Sequence, residues 1–394
     1  MKNNSFFILF VCLIACVPQF CADIYTPSVI TISQEMGIDI SLSQFSISIY
    51  LIGLTITLIP FGIAADAYGR KAPMLIGTSL LLIGSIICII SNNIYLLLAG
   101  RFIQGMGAGS ISAIWRTIFR DRFKGEEMAK YASYVLIFVT FIMPAAPAVG
   151  GFLQTRFNWQ ANFWFLSAYS LLVLLLIGKY YQNPKNIEFS GKVKFSDILD
   201  SLKIIFTNMT FLKFTSVNFV TYGALFASLV ISPVLLIHGL NLSPEKFGLI
   251  MFGLSATGMA LAGIINSRML AKFSSIAMMK FGLVMMLLSG ILMLIFYYLF
   301  GFSLFVIVIP LWLFLFGSSF IWPNSFSNCF EAVPAGGGIV GAVYTLMQQS
   351  GGSIVGSCAS FLKDVNQISL SCIFISAALY SLLILKGTST EKDN

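Results

Sequence analysis

Two ionisable side chains lie in surroundings that are otherwise almost wholly apolar. Asp23 sits in Phe20-Cys21-Ala22-Asp23-Ile24, and Arg101 in Leu97-Leu98-Ala99-Gly100-Arg101-Phe102-Ile103. A charge placed inside such a run costs several kcal/mol when it enters lipid, so these residues usually face a cavity and carry function. A carboxyl group that gains and loses a proton near a permanent cation suits proton coupling. A second set of charges is compact, in Gly62-Ile63-Ala64-Ala65-Asp66-Ala67-Tyr68-Gly69-Arg70-Lys71. Here Gly62 allows close helix approach, and Gly69 permits a tight turn between two apolar runs. Signals for covalent chemistry are missing from the sequence: it has no GxxxxGK[ST] loop, no HExxH and no GxSxG. A single histidine, His238, and seven cysteines without a CxxC pair give no basis for a metal site, and none is expected. The cysteines read as small apolar fillers, and the chain is not expected to be an enzyme.

The elements that position these residues must be helices in lipid. Only 10% of the 394 residues are charged, and 58% are hydrophobic, with a mean hydropathy of +0.91. A soluble domain carries about a quarter charged residues. Runs of about 20 apolar residues suffice to span a bilayer. Twelve such runs are found, at roughly 6–30, 43–65, 73–91, 94–119, 130–153, 160–181, 211–237, 244–266, 276–299, 302–329, 337–361 and 366–386. They are continuously apolar rather than alternating, which favours helices over barrel strands, and lipid requires backbone groups to be satisfied internally. The polar stretch 182–209 divides the chain into bundles at 1–181 and 210–394, six runs in each. Leu13-Ile14-Ala15-Cys16 resembles a lipoprotein processing box, but the apolar run continues past Cys16, so a retained first span is expected.

The formal charge of +8 is a topology signal. Arg70, Lys71, Arg116, Arg120, Arg122, Lys124, Lys130, Lys179, Lys185, Lys192, Lys194, Lys203, Lys213, Arg268, Lys272 and Lys280 fall on one side, against Arg156, Lys246 and Lys363 on the other. Lys/Arg excess marks the cytoplasmic side. Both termini are therefore expected inside, and no nucleic-acid partner is implied.

The loop at 62–71 is complete at every position of GxxxDxxGR[KR] and so resembles the signature of the major facilitator superfamily. Arg101-Phe102-Ile103-Gln104-Gly105-Met106-Gly107-Ala108-Gly109 is similar to the RxxQGxGxG motif of its proton-coupled members. Pro144-Ala145-Ala146-Pro147-Ala148-Val149-Gly150-Gly151 resembles the antiporter ending GPxxGG, with Ala146 in place of the first glycine. Asp23-Ile24-Tyr25-Thr26-Pro27, Arg116 through Asp121, and Pro323-Asn324 with Glu331 and Pro334 resemble the Bcr/CflA group of drug:proton antiporters. The similarity runs along essentially the whole chain, more loosely after residue 210.

The resemblance implies an all-α membrane protein of the major facilitator fold, with twelve helices in two six-helix bundles. It implies a latch of Gly62, Asp66, Gly69, Arg70 and Asp121 that holds one global state. In the latch Asp66 meets the N-terminus of the eleventh span, whose dipole favours an anion, and Arg70 pairs with Asp121.

Periodicity adds a polar lining. Residues at i, i+3, i+4 and i+7 share a helix face. This groups Gln19, Asp23 and Thr26; Ser46, Tyr50, Gly53 and Thr57; and Arg101, Gln104, Ala108, Ser112 and Trp115. It also groups Asn218, Tyr222 and Phe226, and Phe320, Asn324, Asn328 and Glu331. Such stripes either line a cavity or glue helices together; five of mixed polar and aromatic character favour the cavity. Asp23 precedes Ile30, and Arg101 follows Ile94, by the same number of residues, so both lie about 10 Å below one boundary and are expected to pair.

The chain is therefore expected to be a proton-coupled exporter of amphipathic small molecules in the bacterial inner membrane. It should need no cofactor beyond the proton gradient and work as a monomer. The alternatives are a dedicated metabolite or siderophore transporter, in either direction, and a non-transporting membrane sensor. A sensor has little reason to keep Asp23, Arg101 and the intact loop.

Overall fold

The computed structural model describes residues 4–123, 131, 135, 138, 144–183, 202–333, 337–362 and 366–388. The regular elements among them are all helical. In chain order they are α1 (Asn4–Asp23), α2 (Val29–Met36), α3 (Ile40–Tyr68), α4 (Lys71–Ile89), α5 (Ile94–Arg122), α6 (Ala145–Arg156) and α7 (Gln160–Tyr180). These are followed by α8 (Met209–Pro233), α9 (Pro244–Met269), α10 (Ser275–Phe300), α11 (Leu304–Ala332), α12 (Gly337–Ser360) and α13 (Gln367–Ile384). Among the described residues nine helical stretches are long and apolar enough to cross a membrane. The expected fourth and eleventh runs are also helices, α5 and α12. Arg101, Gln104 and Arg116 in the former, and Gln348, Gln349 and several serines in the latter, make them more polar than the nine. The expected fifth run is described chiefly as α6.

The chain divides into two compact units, Met1–Phe195 with Pro244–Gly248, and Ser196–Ser243 with Leu249–Asn394. Helix pairs within each unit meet at glycines. In the first, a Cβ on Gly107 would lie 2.3 Å from the Gly77 carbonyl oxygen, joining α4 to α5. In the second, a Cβ on Gly317 would lie 2.7 Å from the Gly282 carbonyl oxygen, joining α10 to α11. The same parallel links α6 to the end of the first span, where Gly150 faces Ile24 O, and α12 to α8, where Gly351 faces Phe219 O. Without a hydrophobic force between helices in lipid, close backbone approach at small residues supplies the packing energy. The two units thus share a pattern of glycine contacts.

The duplication is uneven. In the first unit α3 and α5 approach closely: Gly53 faces Phe102 O, and Gly105 faces Tyr50 O at 2.0 Å from its would-be Cβ. In the second unit α9 is separated from α11 by large side chains. Phe316 and Phe320 pack with Ala262 and Met278 there, flanked by Trp312.

The first span breaks where it matters for the site. Pro27 has no N–H to give the Asp23 carbonyl four residues back, and its ring would clash there. Helix α1 ends at Asp23, a 3₁₀ turn covers Thr26–Ser28, and α2 resumes at Val29. The Thr26 hydroxyl donates to the Asp23 carbonyl at 2.8 Å, replacing the missing bond.

Candidate functional site

Arg101 is wholly buried in the first unit (0% exposed). Its Nη1 donates to the Cys21 carbonyl at 3.0 Å and to Gln104 Oε1, and its Nε donates to the Ser46 carbonyl at 3.3 Å. The rings of Tyr25 and Tyr50 flank the guanidinium, with centroids 5.0 and 4.5 Å from Cζ. Gln104 extends the network by donating to Ser85 Oγ at 2.7 Å. One side chain thereby ties α1, α3 and α5 together and reaches α4.

The ion pair expected between Asp23 and Arg101 is not formed: Arg101 gives its hydrogen bonds to two carbonyls and to Gln104 instead. The reason is the break at Pro27. Cys21 is among the last four residues of α1, whose carbonyls lack partners along the helix. A cation at a helix C-terminus is favoured by the dipole, so Arg101 acts as a cap supplied by a neighbouring helix. Asp23 is half-buried and accepts instead from Gln19 Nε2, at 3.1 and 3.0 Å to its two oxygens. Thr26, expected on the same helical face, is carried off it by the 3₁₀ turn. The Arg101 Nη2 remains buried with no hydrogen-bond partner.

The stripe Ser46-Tyr50-Gly53-Thr57 proves to be a packing face. Thr57 donates to the Met106 carbonyl at 2.9 Å and Tyr50 to the Pro18 carbonyl, while Gly53 admits the backbone of α5. Tyr50 and Gln104, expected on a cavity wall, are both fully buried in this bundle. Trp115, lower on α5, is half-buried, with Arg116 stacked on its ring.

The loop between α3 and α4 brings its charges together. Arg70 is buried; its Nη1 meets Asp66 at 2.9 Å and its Nε meets Asp121 at 3.3 Å. Gly69 has φ +90°, a backbone conformation that only glycine adopts without strain. Gly62 does not serve the close approach expected of it, since a Cβ there would meet only the Ala113 Cβ at 4.0 Å. At the other end of the unit, Gly150 grips the break in the first span through Ile24 O, and Ser28 donates to Gln154 on α6 at 2.7 Å.

In the second unit the predicted residues divide. Asn218, Phe226, Phe320, Asn324 and Asn328 are buried between helices rather than lining open space. Asn324 donates to Asn266 at 2.8 Å, and Asn328 accepts from Ser275 at 3.0 Å. Phe320 lies in the aromatic core, edge-on to Phe281 and Phe316. Tyr222 joins Phe226 and Trp322 in an aromatic cluster, with centroids 5.2 and 5.6 Å away. Glu331 is exposed near the end of α11, beside a pocket shared with Phe326, Ser327 and Phe330. Tyr25, Ser85 and Trp322 belong to these clusters and lie outside the expected site residues. Tyr25 could have been among them, since it lies in the Asp23–Pro27 motif; the others are joined only by folding. Pro334, Lys124, Lys130 and Lys363 lie outside the described residues.

The chain resembles known proteins over nearly its full length. It is 24% identical to Multidrug resistance protein D of Escherichia coli, covering 98% of this chain and 95% of that one. It is 22% identical to the Bicyclomycin resistance protein homolog of Haemophilus influenzae, covering 99% of both. A Bacillus subtilis relative, the uncharacterized MFS-type transporter YdgK, is 25% identical over 94% of this chain and 92% of its own length. Among solved structures, a D-xylose-proton symporter superposes with a TM-score of 0.77 at 16% identity, covering 96% of this chain and 97% of that one. The family model of the Major Facilitator Superfamily matches residues 11–356. Matched over most of its length and carrying the loop of Asp66, Arg70 and Asp121, the chain belongs to the Major Facilitator Superfamily, a transporter rather than an enzyme.

Proposed function

We propose that this chain exports amphipathic small molecules, drugs among them, across the bacterial inner membrane in exchange for protons. In this reading twelve spans form the bundles 1–181 and 210–394, joined by 182–209, with both termini in the cytoplasm. The protein works as a monomer, without a cofactor. The names of the relatives above support drug export; the proton rests on the geometry at Asp23.

The observation that carries the reading is a carboxylate without a fixed cation beside a cation with an unused donor. Asp23 is held only by the neutral Gln19 amide, and Arg101 Nη2 is buried without a partner. A carboxylate bridged by arginine resists protonation, whereas one that is only hydrogen-bonded changes state more readily. Protonation removes the charge that Gln19 stabilises. Deprotonation makes pairing with Nη2 favourable, and that movement pulls on the break at Asp23–Thr26, which Gly150 grips. Proton occupancy and the shape of the first span are coupled in this way.

The test is transport in everted vesicles and in proteoliposomes with an imposed pH gradient, using ethidium as the probe. Asp23→Asn should abolish uphill export while leaving exchange down a gradient. Full gradient-driven transport by that variant would place the proton elsewhere, with Glu331 the next candidate. Accumulation of a nutrient in whole cells, rather than its extrusion, would favour a dedicated carrier.

A further inference from the structure

Helix α4 starts abruptly after the Gly69 turn, and its first amides need acceptors. Arg70 occupies the N-cap position without a side-chain cap bond. The acceptor comes from far along the chain: the Lys71 amide donates to Asn183 Oδ1 at 2.9 Å. Asn183 follows the end of α7, where the sixth predicted span gives way to the linker. Its Nδ2 lies 2.3 Å from the position a Cβ on Gly69 would take, so the carboxamide rests directly on that glycine. Lys71 Nζ closes the same junction by donating to the Gly178 carbonyl in the last turn of α7, at 2.9 Å.

The second unit provides an internal control. Its corresponding lysine clasp is present, with Lys280 Nζ donating to the Thr388 carbonyl at 3.0 Å. Its cap is local, however: Ser274 Oγ accepts from the Ala277 amide at 3.1 Å. Of these two caps, the one at the loop carrying the Asp66–Arg70–Asp121 charges comes from beyond the end of another helix, and the other is local.

We propose that Asn183 is a positioning residue of the latch. It caps α4 from the end of α7 and holds Gly69 and Arg70 in the backbone conformation that sets the guanidinium between Asp66 and Asp121. Its consequence for transport rests on reading that loop as a conformational latch. The glycine at position 69 is then required twice, for its positive φ and for the carboxamide lying on it.

The test uses the full-length protein in nanodiscs, with hydrogen exchange at the Lys71 amide as the substrate-free readout. Asn183→Ala should speed that exchange about fivefold, as expected for loss of one ordinary hydrogen bond. Asn183→Asp keeps the acceptor and should restore the parental rate. Gly69→Ala should also speed exchange, and adding Asn183→Ala should speed it by less than the product of the two single effects, because the steric conflict is gone. In ethidium efflux, Asn183→Ala should lower the maximal rate with KM unchanged, and Asn183→Asp should recover it. An unchanged Lys71 rate in Asn183→Ala, or fully multiplicative effects in the double variant, would overturn the positioning role. Faster exchange with an unaltered maximal rate would uphold the cap and refute the latch on which its effect on transport depends.

Discussion

Replacing Arg101 with lysine tests whether the guanidinium holds the first unit together through its shape rather than its charge. The arginine satisfies three acceptors, the carbonyls of Cys21 and Ser46 and Oε1 of Gln104. Lysine keeps the charge but replaces a planar fork with a single nitrogen at the end of a flexible stem. The Ser46 carbonyl keeps its partner within α3, so lysine leaves one or both of the other two buried acceptors empty, at about 1–3 kcal/mol each, or up to about 6 kcal/mol in total. That is a large share of a net stability of about 5–15 kcal/mol. Reversible unfolding by SDS titration, or steric trapping in bicelles, measures it directly. A double-mutant cycle with Asp23→Asn separates this account from a direct ion pair. Breaking a buried pair costs about 3–5 kcal/mol, so coupling near that size at acid pH, where Asp23 carries its proton and the two should stay apart, would contradict the separation of Asp23 from Arg101. Arg101→Lys within about 0.5 kcal/mol of the parent, the scatter of ordinary surface changes, would refute the cap.

Glycine contacts give a sharp pair of substitutions. Gly105→Ala drives a Cβ to 2.0 Å from the Tyr50 carbonyl oxygen and should destabilise by about 1–3 kcal/mol or more, whereas Gly178→Ala meets nothing within 4 Å and should be neutral or slightly stabilising in the same unfolding assay. Around Arg70, Asp121→Ala should lower thermal stability more than Asp66→Ala, because the Asp121 side chain is 10% exposed and that of Asp66 76%. The reverse ranking would show that the buried contact contributes little. A reporter fused to the C-terminus should show cytoplasmic activity, as the distribution of Lys and Arg requires; a periplasmic signal would overturn the proposed orientation.

Composition alone determined that this chain is helical and lies in lipid, because too few charges exist to cover a surface in water. The resemblance of 62–71 to a known signature pointed to Asp66, Arg70 and Asp121 as one group, and the structure brings their charges together. The helix break at Pro27 was implicit in the residue type, although its effect on Thr26 went unread. Periodicity could not say which neighbour each polar stripe faces, because a face that lines a cavity and one that packs on another helix share the same 3.6-residue repeat. Tertiary structure decided that: the Ser46–Thr57 stripe meets α5, and Asn324 and Asn328 meet α9 and α10. Counting residues from the helix ends put Asp23 and Arg101 at one level but gave no azimuth. It therefore missed that Arg101 turns to the carbonyls at the end of α1 instead of to the carboxylate. The bond from Asn183 to Lys71 joins positions 112 residues apart; nothing local specifies it, and it exists only because α7 ends beside the start of α4.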